Sequence, residues 1–102
     1  MNPFLKRYIP ELIEICKAHK VSKLYAFGSV VTQDKFTDES DVDLAIEIDQ
    51  TLEPLQQGEM WWQLFDKLPQ LFNRKVDIVN TQNLRNKYFI QNLNRTKVTI
   101  YE

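Results

Sequence analysis

The chain has 102 residues, is 43% apolar and 26% charged, and carries a formal net charge of −1. That balance sets aside disordered, collagen-like and low-complexity classes, and the length predicts one domain over residues 1–102 with little room for a second substrate-binding module. No apolar run approaches the length of a bilayer crossing, and MNPFLKRYIPEL puts charges and prolines where a secretory peptide needs an uninterrupted apolar core, so a cytoplasmic protein is expected.

From the N-terminus, Asn2 is expected to cap a helix with Pro3 at its first position. Leu5, Ile9, Leu12, Ile13 and Cys16 then recur at the spacing of one helical face. Pro10 interrupts this pattern, so either the helix kinks there or a second helix starts at Pro10 and runs to about Ala18 or His19. Cys16 is the only cysteine, which excludes an intrachain disulfide and a thiolate metal site; it is expected in the core as a small hydrophobe. The single histidine, His19, has no serine or cysteine nucleophile nearby and is expected at the surface, near a helix C-terminus.

Lys23 to Phe27 reads as a strand ending at Gly28, after which Ser29 to Gln33 is expected to form a short helix. A polar loop over 36–40 leads into a strand over 42–48, with Val42, Leu44, Ile46 and Ile48 on one face and Asp41, Asp43 and Glu47 on the other. Pro54 opens a helix expected to run to about Lys67, with Trp61, Leu64, Phe65 and Leu68 at helical spacing and Pro69 at its end. Trp62 points away from that stripe; packing under a neighbouring helix is the favoured expectation and a protein-binding surface the alternative. Val76 to Val79 reads as a strand, Thr81 as the cap of a helix from about Asn83 to Asn94, and Val98 to Tyr101 as a strand or an extended tail. This order predicts an α/β (α+β) fold with a small mixed sheet flanked by helices.

Charge is unevenly spread. Acidic residues crowd between Asp34 and Glu59, which suits cation binding, whereas Arg74, Lys75, Arg85, Lys87, Arg95 and Lys97 face only Asp77 in the segment that follows. A solvated helical face accounts for that basic segment, and nothing in it forms a broad nucleic-acid-binding stripe.

The most informative residues are Gly28-Ser29 and, further on, Asp41-Val42-Asp43. Residues two apart on a strand project from one face, with Cα atoms about 6.5 Å apart, so Asp41 and Asp43 can bracket shared cations. A pair of aspartates without histidine or cysteine suits magnesium better than zinc. Gly28 permits close backbone approach to a phosphate, and Ser29 adds an N–H and a hydroxyl where the leaving pyrophosphate would lie. Asp77, in Val76-Asp77-Ile78-Val79, is expected to serve the attacking side as a ligand and general base. Together these residues predict phosphoryl chemistry with Mg2+, two ions in the usual arrangement, and a nucleoside triphosphate as substrate.

With FGSVV and ESDVDLAI in place, the chain resembles the nucleotidyltransferase superfamily that shares its palm-like fold with DNA polymerase beta, and within it the minimal nucleotidyltransferase branch. The resemblance covers nearly the whole chain and implies metal ligation and catalysis by Asp41, Asp43 and Asp77, with Gly28 and Ser29 binding the nucleotide. Members of that branch are often antitoxins that transfer AMP from ATP to a tyrosine of a HEPN-type ribonuclease toxin. The implied partner is therefore a helical toxin protein, with a homo-oligomer also open and neither nucleic acid nor membrane expected. Many relatives carry an arginine shortly after the glycine-serine turn, whereas this chain continues Val30-Val31-Thr32-Gln33; Lys35 is the nearest candidate for that charge. The departure keeps open a catalytically weak module that neutralises a toxin by binding, through a surface around Trp62 or Tyr88. Transfer to an antibiotic or another small molecule is a third reading, disfavoured because no acceptor domain is evident.

Overall fold

The computed structural model describes residues 2–32 and 36–102. Lys35, the candidate for the missing arginine's charge, lies outside the described residues, as does Gln33 at the expected end of the short helix. Among the described residues no helix is long and apolar enough to cross a membrane.

Two helices open the chain. α1 (Pro3–Lys6) starts at Asn2, whose side chain accepts a hydrogen bond from the Phe4 N–H at 2.8 Å. α2 (Ile9–Ala18) carries Pro10 in its first turn, where the missing N–H costs nothing. The interruption at Pro10 is thus a break between two helices. Lys20, at φ 58°, then reverses the chain into β1 (Val21–Phe27).

Gly28–Val31 forms a single 3-10 turn, and β2 (Val42–Ile48) follows the polar loop. α3 (Pro54–Phe72) begins with a capping box between Glu53 and Gln56. It runs through Pro69, where the sequence predicts its end. The proline forfeits only the hydrogen bond to the Phe65 carbonyl, while Leu68 and Phe72 continue the buried stripe on either side of it. The helix stops instead at Asn73, which takes the left-handed conformation at φ 52°.

β3 (Val76–Asn80) leads into a 3-10 turn over Thr81–Asn83, so Thr81 caps no long helix. α4 (Lys87–Thr96) starts later because Asn86 accepts from the N–H groups of Tyr88 and Phe89, at 2.9 and 3.1 Å. The chain ends in a true strand, β4 (Val98–Tyr101), paired with β1.

The four strands form one mixed sheet in the order β3-β2-β1-β4. β1 is antiparallel to β2 and β4, while β2 and β3 are parallel and joined by the α3 crossover. One face of the sheet carries Leu24, Ala26, Leu44, Ile46 and Ile48 into a core with Leu5, Leu12, Cys16, Leu64, Leu68 and Phe72. On the opposite face Leu93 of α4 covers Tyr25 and Ala45. The second face of β2 is therefore partly covered, and Asp43 lies one pleat beyond the covered stretch.

Three side chains sit differently from the sequence expectation. His19 is buried at 2% exposure; its Nδ1 donates to the Ile15 carbonyl at 2.7 Å, a second bond to the oxygen that also accepts the His19 backbone N–H at 3.0 Å. Trp62 is 77% exposed, so packing beneath a neighbour is ruled out for it. Phe65, placed on the apolar stripe, is 52% exposed, since the buried seam of α3 runs through Leu64, Leu68 and Phe72. Cys16 is buried as expected, and desolvation pushes its thiol up to about 12.

Candidate active site

The sheet register brings together residues far apart in the chain. Phe27 pairs with Asp43 across β1 and β2, and Asp43 pairs with Asp77 across β2 and β3. Asp41 stands two residues before Asp43, at the entry to β2. The join is tied by the Val42 N–H donating to the Lys75 carbonyl at 3.1 Å. Gly28 sits at the carboxyl end of β1 with φ 73°, and a Cβ built there would collide with Asp43 Oδ2. Glycine is therefore required at position 28 both for its left-handed backbone and for its closeness to the carboxylate. Ser29, half-buried, follows it in the turn.

The electrostatics are those of a crowded acidic cluster. The Asp43 carboxyl is raised to about 6, first by burial, then by the negative charge of Asp77 and a hydrogen bond between the two carboxyls, and then by Asp41; Lys75 opposes these effects. The Lys75 ammonium lies 3.7 Å from Asp41 Oδ2 and 3.7 Å from Asp77 Oδ1, bridging the two outer carboxylates.

One lysine against three carboxylates leaves a cation deficit on this face, and all the acidic donors are hard oxygens. That donor set fits a magnesium ion. Among the described residues no three His, Cys, Asp or Glu side chains are gathered tightly enough to hold a metal unaided. Oxygens from a bound phosphate are the natural complement, since magnesium is usually held by one or two carboxylates together with substrate phosphates.

Two residues of this neighbourhood were not singled out in the sequence. Lys75 and Arg74 read there as part of a solvated basic face, yet Lys75 bridges the acids and Arg74 holds the loop before Asp41. Their position immediately before Val76-Asp77 was the available signal.

The family model described as "Polymerase beta, Nucleotidyltransferase" matches residues 10–102. The chain belongs to this family. Solved structures share the nucleotidyltransferase's fold. A toxin–antitoxin complex with AMP-PNP aligns at TM-score 0.69 with 21% identity, over 91% of this chain and 72% of that one. A tri-AMPylated Shewanella oneidensis HEPN toxin in complex with its MNT antitoxin aligns at TM-score 0.64 and 19% identity, over 94% and 71%. A protein provisionally described as a minimal nucleotidyltransferase aligns at TM-score 0.68 and 23% identity, over 96% of this chain and 95% of that one. No match to a curated protein was found. At these identities the structural likeness establishes the nucleotidyltransferase fold, a four-stranded mixed sheet with helices on both faces.

Proposed function

We propose that the protein is a magnesium-dependent nucleotidyltransferase that moves AMP from ATP onto a hydroxyl, in the first instance a tyrosine, of a partner protein, and that it acts as the antitoxin of a HEPN-type toxin. The observation that carries the proposal is the register pairing of Asp43 with Asp77 beside Gly28. It sets a half-buried carboxylate of raised pKa between a second acid and a backbone turn that approaches it closely. The nucleotide-bound and AMPylated complexes among structures of like fold support the choice of ATP and of a toxin as acceptor.

In this reading Asp41, Asp43 and Asp77 would hold Mg2+, which when bound would neutralise the charge that gathers on the phosphates. Gly28 and Ser29 receive the β- and γ-phosphates, with Ser29 offering its N–H and hydroxyl. The acceptor oxygen forms a bond to the α-phosphorus as the α–β bridging bond breaks. Pyrophosphate leaves with that electron pair, and the hydroxyl proton passes to Asp77. Its half-exposed side chain on the open edge strand is reachable by an incoming acceptor.

Incubating the protein with α-labelled ATP, Mg2+ and the candidate toxin, followed by mass spectrometry of the toxin, tests this reading. The expected product is toxin heavier by one or more AMP units; toxin left unmodified after prolonged incubation would reject it.

A second reading, neutralisation by binding alone, is favoured by the exposed Trp62 and by Tyr88, which is 84% exposed. Both are large aromatic rings left facing solvent. Replacing Asp41, Asp43 and Asp77 together separates the readings, because a masking protein would still neutralise the toxin at equal dose.

A further inference from the structure

We propose that Arg74 is a positioning residue of the acidic cluster, fixing the 36–40 loop against the start of β3 and so setting where Asp41 stands relative to Asp43 and Asp77. Its Nη1 donates to two carbonyls of that loop, Thr37 at 3.0 Å and Ser40 at 2.9 Å. The same guanidinium lies over the Phe4 ring at 4.4 Å and the Phe36 ring at 4.7 Å. Those two rings contact each other with centroids 4.9 Å apart, and Phe4 also meets Tyr8 and Phe72. The side chain therefore joins the first helix, the end of α3 and the loop in one contact set, immediately before Asp41.

The geometry suits arginine. A planar fork can lie over aromatic faces while its N–H groups, in the ring plane, reach carbonyls at the edge. The loop has few other restraints among its described residues. Thr37 and Ser40 bond each other through N–H, hydroxyl and carbonyl groups, but those bonds are internal to the turn and do not anchor it to the sheet. Anchorage comes from Phe36, whose ring packs on Phe4 at the edge of the core, from the Val42 N–H to Lys75 carbonyl bond, and from Arg74, which alone among these holds the Thr37 and Ser40 carbonyls. Because Lys75 follows directly and bridges Asp41 and Asp77, a single dipeptide sets both the loop's position and the charge between the acids.

The kinetic part of the test rests on the proposed nucleotidyl transfer; the structural part does not. Backbone amide order parameters of residues 36–41, Mn2+ affinity in the presence of a non-hydrolysable ATP analogue, and transfer kinetics are measured on the full chain for wild type, Arg74→Met and Arg74→Lys. For Arg74→Met we expect lower order parameters over the loop, about tenfold weaker Mn2+ binding and a similar fall in kcat. At saturating metal the KM for ATP should stay within about twofold, because Gly28 and Ser29 are untouched. Arg74→Lys, which keeps the cation but not the fork, should fall between the two and carries the same readouts if the methionine variant does not fold. Unchanged loop order and unchanged Mn2+ affinity in folded protein would overturn the proposal, as would a drop in melting temperature with no change in either. A wild type that transfers nothing, beside Arg74 variants that still lose loop order and Mn2+ affinity, would sink the enzymatic reading and leave the positioning role standing.

Discussion

Asp43 and Asp77 face each other as register partners on neighbouring parallel strands, and after burial the negative charge of Asp77 is the largest influence raising the Asp43 carboxyl. Replacing Asp43 by asparagine removes both the proposed metal ligand and the repulsion. Transfer of label should fall by at least about two decades, the usual loss when a group stabilising transition-state charge is removed. The metal-free fold should become more stable above pH 6, by about 1 kcal/mol once partial exposure is allowed for. Rate measurements beside thermal melts check both halves; a variant that loses activity and stability together would contradict the electrostatic account.

The same shift fixes the sign of a pH effect. The Asp43 carboxyl is raised to about 6 in the folded protein, so the native state holds its proton more tightly than the unfolded chain does. Asp43's contribution therefore lowers stability as pH rises from about 4 to about 6, and the slope should be missing in Asp43→Asn. Free-enzyme kcat/KM should rise with pH through the same region at low Mg2+, because the ligand must be ionised. Saturating Mg2+ should move that limb to lower pH, since a bound cation favours the carboxylate. A limb that ignores Mg2+ concentration would point to a different ionising group.

Gly28→Ala probes the turn. The added methyl meets Asp43 Oδ2 and must also adopt φ 73°, a conformation that costs a non-glycine residue roughly 1–2 kcal/mol. We expect a destabilisation of about that size together with a loss of transfer greater than the stability change explains. Melting and single-turnover kinetics measure the two separately, and near-wild-type transfer would show that the close approach has no role in the reaction.

α3 provides an internal control on burial. Leu64→Ala should cost about 2–5 kcal/mol, as expected for a filled core site, while Trp62→Ala should stay within about 0.5 kcal/mol despite removing a larger side chain. Urea denaturation distinguishes the two, and a large loss at Trp62 would mean that the ring is covered in solution.

Much of this was readable from the sequence, for identifiable reasons. The period-two alternation of Val42, Leu44, Ile46 and Ile48 reports a core-facing strand directly, and Asn2-Pro3 is a local capping signal that needs no tertiary information. What failed depended on neighbours. Whether Pro69 ends a helix is decided by the burial of Leu68 and Phe72 on either side, and whether His19 is exposed by a carbonyl four residues earlier. Thr81 lost its capping role to Asn86 because two competing caps lie within a few residues. At the candidate site the aspartates stood out by type and spacing, but strand order alone could not give the register that pairs Asp43 with Asp77. Nor does a run of basic residues reveal that Arg74 reaches the loop carbonyls and Lys75 the acids.

In the proposed function Asp41, Asp43 and Asp77 act as one cation-dependent site for nucleotidyl transfer. Its most direct measurement is transfer from α-labelled ATP to the partner protein, with and without Mg2+, by wild type and by each single Asp→Asn variant. The account predicts Mg2+-dependent labelling by wild type and a loss of at least about two decades in each variant. Full labelling by Asp77→Asn, or by wild type after removal of divalent ions, would contradict it.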